Sequence, residues 1–319
     1  MPRYRDKAVD MMKFLAVFLI INSHADAMYP HLSQLATGGA IGDCVFLFVS
    51  GYTLFLTARR RFADYFKRRI ARIYPSVIAS LLFILLINPS RTVGLQEFVG
   101  GEFIMALMVY YIIIYAISLL PPRTIPISLA STFTVSVIIY LLFFPTKHEL
   151  GAAGIYGITT CFRWIPFFAF MLGGAWTGVL VSSGTLKPAQ NCWRNFFFMA
   201  LNVLLFYGIQ IAGKINPAYA PLQILTLIPL AGTIWFMYRW CSCGAITRLF
   251  DLYPWGKVIL WVSGLCLESY LIQFALFTPA LNSIWPLNLI IITALILAAA
   301  WLVKHLARFI SSAFAEAKG

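Results

Sequence analysis

Residues 103–144 read FIMALMVYYIIIYAISLL-PPRTI-PISLASTFTVSVIIYLLFF. Residues 103–120 carry no charge, residues 126–144 carry none, and the short break between them holds Pro121, Pro122 and Arg123. A bilayer core about 30 Å thick is crossed by about 20 apolar residues of helix, at about 1.5 Å of rise each. Two such runs joined by a proline pair and one arginine read as two membrane-spanning helices with a tight turn between them.

The same pattern continues outward in both directions. Apolar runs lie near 9–27, 40–57 and 74–89 on one side, and near 163–182, 195–213, 219–238, 258–278 and 287–304 on the other. Pro145, Ser182-Ser183-Gly184 with Pro188, Pro217 and Pro286 mark breaks between them. Over the 319 residues, 61% are hydrophobic and 11% charged. Soluble domains sit near 45–50% and 25%. The expected fold is all-α, an integral membrane bundle of about ten transmembrane helices forming a single domain over 1–319. The first run follows Arg3, Arg5 and Lys7, contains Asp10 and Lys13, and ends without a small-residue cleavage site, so it is expected to remain as the first span rather than act as a signal peptide. The six cysteines follow no metal or disulfide spacing and read as small buried hydrophobes.

Basic residues set the expected sidedness. With the N-terminus in the cytoplasm, 19 of the 24 Lys and Arg fall in cytoplasmic segments, and Arg91, Lys147, Arg163 and Lys214 fall outside, with Lys13 inside the first span. That asymmetry is the positive-inside pattern and puts both termini in the cytoplasm. The net charge of +13 follows from topology. It calls for no nucleic-acid partner, since no basic face extends beyond short loops.

Ionisable residues inside spans are costly and mark function. Asp10, Lys13 and His24 share one stripe of the first helix, Lys13 and His24 being about 20° apart at about 100° per residue. Along a regular helix His24 lies about 16 Å beyond Lys13, so the two cannot act on one atom. Lys13 belongs near the cytoplasmic mouth, beside Asp10, and His24 toward the outer half. The plainer readings are a snorkelling lysine and a hydrogen-bonded interfacial histidine. His31, His148 and His305 read as loop or interface residues. After the second span come Arg59-Arg60-Arg61 and then Lys67-Arg68-Arg69-Ile70-Ala71-Arg72-Ile73-Tyr74-Pro75. The second cluster looks amphipathic and runs into the third span. Arg69 and Arg72, three apart, can present two forks to one phosphate group, or the cluster serves topology and anionic lipid alone. Glu268 stands mid-span in a stretch ending at Gln273 and needs a partner there.

In this order the pieces resemble acyltransferase family 3. That family's first helix carries Arg or Lys, ten intervening residues, then His, as Lys13 and His24 do, with Asp10 at the usual upstream Asp. Phe46-Leu47-Phe48-Val49-Ser50-Gly51-Tyr52 is similar to its second helix. Arg69 and Arg72 with Tyr74-Pro75 are similar to its Arg-x-x-Arg loop. Phe167-Phe168-Ala169-Phe170-Met171-Leu172-Gly173-Gly174 resembles its middle helix, and Leu267-Glu268-Ser269-Tyr270-Leu271-Ile272-Gln273 its late motif, where Gln273 stands in place of a frequent His.

The resemblance implies transfer of an acyl group, usually acetyl, from cytoplasmic acyl-CoA to a hydroxyl of a surface polysaccharide or lipid-linked glycan, at a bacterial inner membrane and without a metal. His24 would be the base, since free imidazole titrates near about pH 6.5. Arg68, Arg69, Arg72 and Tyr74 would hold the CoA end, and Lys13 and Asp10 would line the mouth. Asp10 is about 21 Å from His24 along the helix, so the group orienting His24 must come from elsewhere, with Glu268 and Asp26 as candidates. An acyl-histidine intermediate is an alternative route. The competing class is a glycolipid or metabolite transporter without covalent chemistry, which broken helices and midplane charges would suit.

Overall fold

A computed structural model describes residues 5–55, 61–143, 154–156 and 161–316. The helices are α1 (Lys7–Ser23), α2 (Gly39–Phe55), α3 (Phe62–Ile87), α4 (Leu95–Phe98), α5 (Gly101–Ser118), α6 (Thr124–Phe143), α7 (Trp164–Ser182), α8 (Cys192–Ile215), α9 (Leu227–Cys241), α10 (Gly244–Thr247), α11 (Trp255–Ser263), α12 (Cys266–Ile272) and α13 (Leu287–Glu316), with no strand among the described residues. Arg3, Arg59, Arg60, Lys147 and His148 lie outside those residues.

Each of the ten apolar runs is helical in its greater part. Among the described residues eight helical segments are long and apolar enough to cross a membrane, and α11 with α12, bent by 57°, would make a ninth. α1 is shorter than its apolar run and stops at 17 residues. At its end Ser23 Oγ donates to the Ile20 carbonyl at 2.8 Å, the His24 N–H donates to the Ile21 carbonyl at 3.3 Å, and the chain turns at His24. α3 starts earlier than the third run, because the basic segment from Phe62 onward continues into the span as one helix through Pro75.

The chain divides into two compact units. The first takes Met1–Met12, Ala40–Arg59 and Ala116–Ile259. In it α2 and α7 meet backbone to backbone. A Cβ on Gly51 would lie 1.8 Å from the Met171 carbonyl oxygen, and one on Gly174 would lie 1.8 Å from that of Phe48. Without a hydrophobic drive between helices in lipid, such close approach supplies the packing energy. Gly51→Ala is therefore expected to force the helices apart, costing about 1–3 kcal/mol, and to lower the Tm of the detergent-solubilised protein. Gly208→Ala, inside α8 with nothing within 4 Å of an added Cβ, is the control that should leave the Tm equal or slightly raised. Equal Tm values for both variants would show that the α2–α7 contact is not tight.

The start of α1 is tied within the same unit. Tyr52 Oη donates to Asp6 at 2.5 Å, Lys7 pairs with Asp251 at 2.7 Å, and Arg5 pairs with the buried Asp10.

The second unit takes Lys13–Gly39, Arg60–Tyr115 and Leu260–Gly319. Here α12 and α13 pack on α3 and on each other, and Phe103 of α5 meets Tyr270 of α12 with ring centroids 5.3 Å apart. The break between α11 and α12 is held from α13, where Lys304 donates through Nζ to the Gly264 carbonyl. A cation suits the exposed carbonyls at a helix C-terminus.

Candidate active site

The second unit contains every residue proposed from the sequence as catalytic or donor-binding except Asp10. His24 sits one residue past α1, half-buried, and the next N–H, that of Ala25, donates to the Asn22 carbonyl at 3.2 Å. Side chains add further bonds. Asn22 Nδ2 donates to the carbonyls of Leu35 and Thr37 at 2.7 and 2.9 Å, and Tyr29 Oη donates to Asn22 Oδ1 at 2.6 Å. Burial pushes the Tyr29 phenol above its ordinary pKa, so it keeps its proton as a donor. From α13 the fully buried Asn288 donates to the Met28 carbonyl at 2.8 Å, and Asn282 donates to that of Ala27 at 3.0 Å. At the far end of the loop Gly38 takes φ +107°, a conformation that costs a residue with a Cβ more than it costs glycine. The loop after His24 is thus fastened at both ends.

The imidazole is held through Nδ1. The Ile20 carbonyl lies 3.0 Å from it, Ser23 Oγ 3.3 Å and Gln273 Nε2 3.1 Å. Phe274 packs against the ring, with centroids 4.6 Å apart and planes at 64°. Among these groups at Nδ1, Gln273 is the one that comes from another part of the chain. Glu268 is buried on α12 and accepts a hydrogen bond from the buried Ser76 of α3 at 2.8 Å. Asp26 is exposed in the turn that follows His24. Gln273 was legible as a polar residue closing an apolar helix, a costly placement in lipid.

Arg68, Arg69, Arg72 and Tyr74 all lie on α3. Arg69 lies over the ring of Tyr65, one turn earlier, at 5.0 Å from its centroid, a contact that fixes the guanidinium plane. Arg68 and Arg72 are exposed, while Arg69 and Tyr74 are half-buried. Ser76 follows Arg69 by seven residues, about 10 Å along the helix, and Gln273 follows Glu268 by five, about 7 Å for a regular helix. The second unit thus carries two separate polar contacts between helical segments, Ser76 with Glu268 and Gln273 with His24. Lys13, half-buried, lies on α1, ten residues or about 15 Å before its end at Ser23. No cluster of three or more His, Cys, Asp or Glu is placed to hold a metal among the described residues.

A family model described as an acyltransferase domain, that of acyltransferase family 3, matches residues 6–305. No curated protein and no solved structure matches the chain.

Proposed function

Since the chain belongs to acyltransferase family 3 and is a membrane acyltransferase, we propose that it moves an acyl group, usually acetyl, from cytoplasmic acyl-CoA to a hydroxyl of a surface polysaccharide or lipid-linked glycan, with His24 as general base. The observation that carries this reading is the position of His24, at the end of α1 with its ring held at Nδ1 by neighbouring groups. A base must be oriented before it can be efficient.

In the proposed step Nε2 of His24 takes the proton of the acceptor hydroxyl as its oxygen attacks the thioester carbonyl carbon. The tetrahedral intermediate collapses with cleavage of the C–S bond. The departing CoA thiolate takes the proton back from the imidazolium, which returns the enzyme to its starting state. Arg69 and Arg72, with Arg68 and Tyr74 beside them, bind the phosphates of CoA at the cytoplasmic start of α3. Lys13 and Asp10 line the entrance, and Glu268, tied to Ser76, lies along the path to His24. Both termini are cytoplasmic in this scheme, and the chain acts as one transmembrane domain in a bacterial inner membrane. The acceptor, a glycan or lipid-linked sugar, approaches from the outer side, where the loop after α1 is fastened.

The test is thiol release from acetyl-CoA by the purified protein, offered a panel of lipid-linked glycans. Thioester cleavage that accelerates with an accepting glycan, and a glycan that gains the acyl mass, are the expected results. Intact acetyl-CoA with every acceptor, together with glycolipid movement across reconstituted vesicles, would replace this reading with a transporter.

A further inference from the structure

The proton on His24 can be assigned from its neighbours. A backbone carbonyl only accepts, so the Ile20 oxygen at 3.0 Å calls for a proton on Nδ1. Ser23 agrees with this. Its hydroxyl hydrogen is already given to the Ile20 carbonyl at 2.8 Å, so at 3.3 Å it turns a lone pair toward the ring. Two acceptors therefore face Nδ1. The third neighbour is the carboxamide of Gln273, which is 0% exposed. An NH2 pointed at an N–H would set donor against donor. The two ends of a carboxamide have the same shape, and the hydrogen-bond network decides which is which. The second amide atom of Gln273 meets no hydrogen-bonding protein atom where it lies. It would do so in either orientation, so it does not favour one over the other. The ring does.

We propose that Gln273 is a positioning residue for His24, accepting through its carboxamide oxygen from Nδ1–H and thereby holding the imidazole with its lone pair on Nε2. This rests on the reading of His24 as the base. A neutral imidazole with a protonated Nδ1 has one basic nitrogen, and the hydrogen bond at the first nitrogen selects the second for chemistry. Gln273 suits that task because it is uncharged: it accepts a hydrogen bond without stabilising a permanent imidazolium, which would be unable to take the acceptor's proton. The bend between α11 and α12 and the turn that begins at Gln273 bring this side chain from α12 to the end of α1.

The test uses the full-length protein in detergent, labelled with ¹⁵N-histidine. The chain has four histidines, so the His24 signals are assigned by their loss in His24→Asn. In neutral wild-type protein His24 is expected to show a protonated Nδ1 and an unprotonated Nε2. Gln273→Met, similar in length and without hydrogen bonding, should lower kcat about 10–100-fold with KM for acetyl-CoA unchanged, and should move the His24 signals toward a mixture of tautomers. Gln273→Glu, which keeps an acceptor, should preserve the protonated Nδ1. A proton found on Nε2 in the wild type would overturn the proposal even if no variant folds, as would Gln273→Met with wild-type rate and spectrum. Full activity in His24→Asn would instead remove the base assignment, and the tautomer measurement would stand apart from it.

Discussion

His24→Ala is expected to abolish acyl transfer while leaving acyl-CoA affinity nearly intact. Loss of a general base costs about 10²–10⁴-fold in rate. The groups proposed to bind CoA lie on α3, whereas His24 lies just past the end of α1. His24→Asn tests the plainer alternative. Asparagine can still hydrogen-bond at the end of α1, so it should fold better than alanine and be equally inactive. If His24 served only to satisfy an interfacial hydrogen bond, asparagine would restore function. The wild-type rate should rise with pH as the imidazole loses its proton, because only the neutral ring accepts one, and any residual rate in the variants should lack that limb. Transfer and CoA affinity are to be measured on the same preparation. Substantial transfer by His24→Asn would sink the catalytic assignment.

Arg69→Ala and Arg72→Ala should each weaken acyl-CoA binding by about 1.5–3 kcal/mol, roughly 10- to 150-fold, since each removes a charge-assisted hydrogen bond to phosphate. Arg72→Lys should recover part of the loss, because a point charge cannot form the two-pronged contact. Arg69→Lys should recover less, since the guanidinium at 69 lies over the Tyr65 ring and lysine loses that planar contact as well. Donor affinity in the wild type should fall as salt rises, and the alanine variants should show a flatter salt dependence. Unchanged affinity in both alanine variants, with the protein still folded, would leave the basic segment as a device of topology and lipid contact.

Hydropathy and turn residues alone located the helices, because the bilayer imposes a length and a polarity that can be counted along the chain. The boundaries were less legible. The end of α1 at Ser23 falls inside an apolar run that continues to residue 27, and the extension of α3 back to Phe62 hides in a basic segment whose charges read first as topology. The glycines of the second and middle helices were legible as family pattern. Their physical reason, the backbone contact of α2 with α7 at Gly51 and Gly174, required the two helices side by side.

At the candidate site the sequence by itself determined the order of Lys13 and His24 along the first span, and it put Arg69 and Arg72 on one helix that runs into an apolar span. Those are local properties of the chain. The partner of His24 was decided only by tertiary structure. Gln273 lies 249 residues away in the chain, at the start of the tighter turn that follows α12. Glu268 was identified correctly as a buried polar group needing a partner, yet its partner is Ser76 on α3. Spacing along a chain fixes which side chains share a helix face. Which face meets which helix is set by packing between segments, and that information exists only once the helices are assembled.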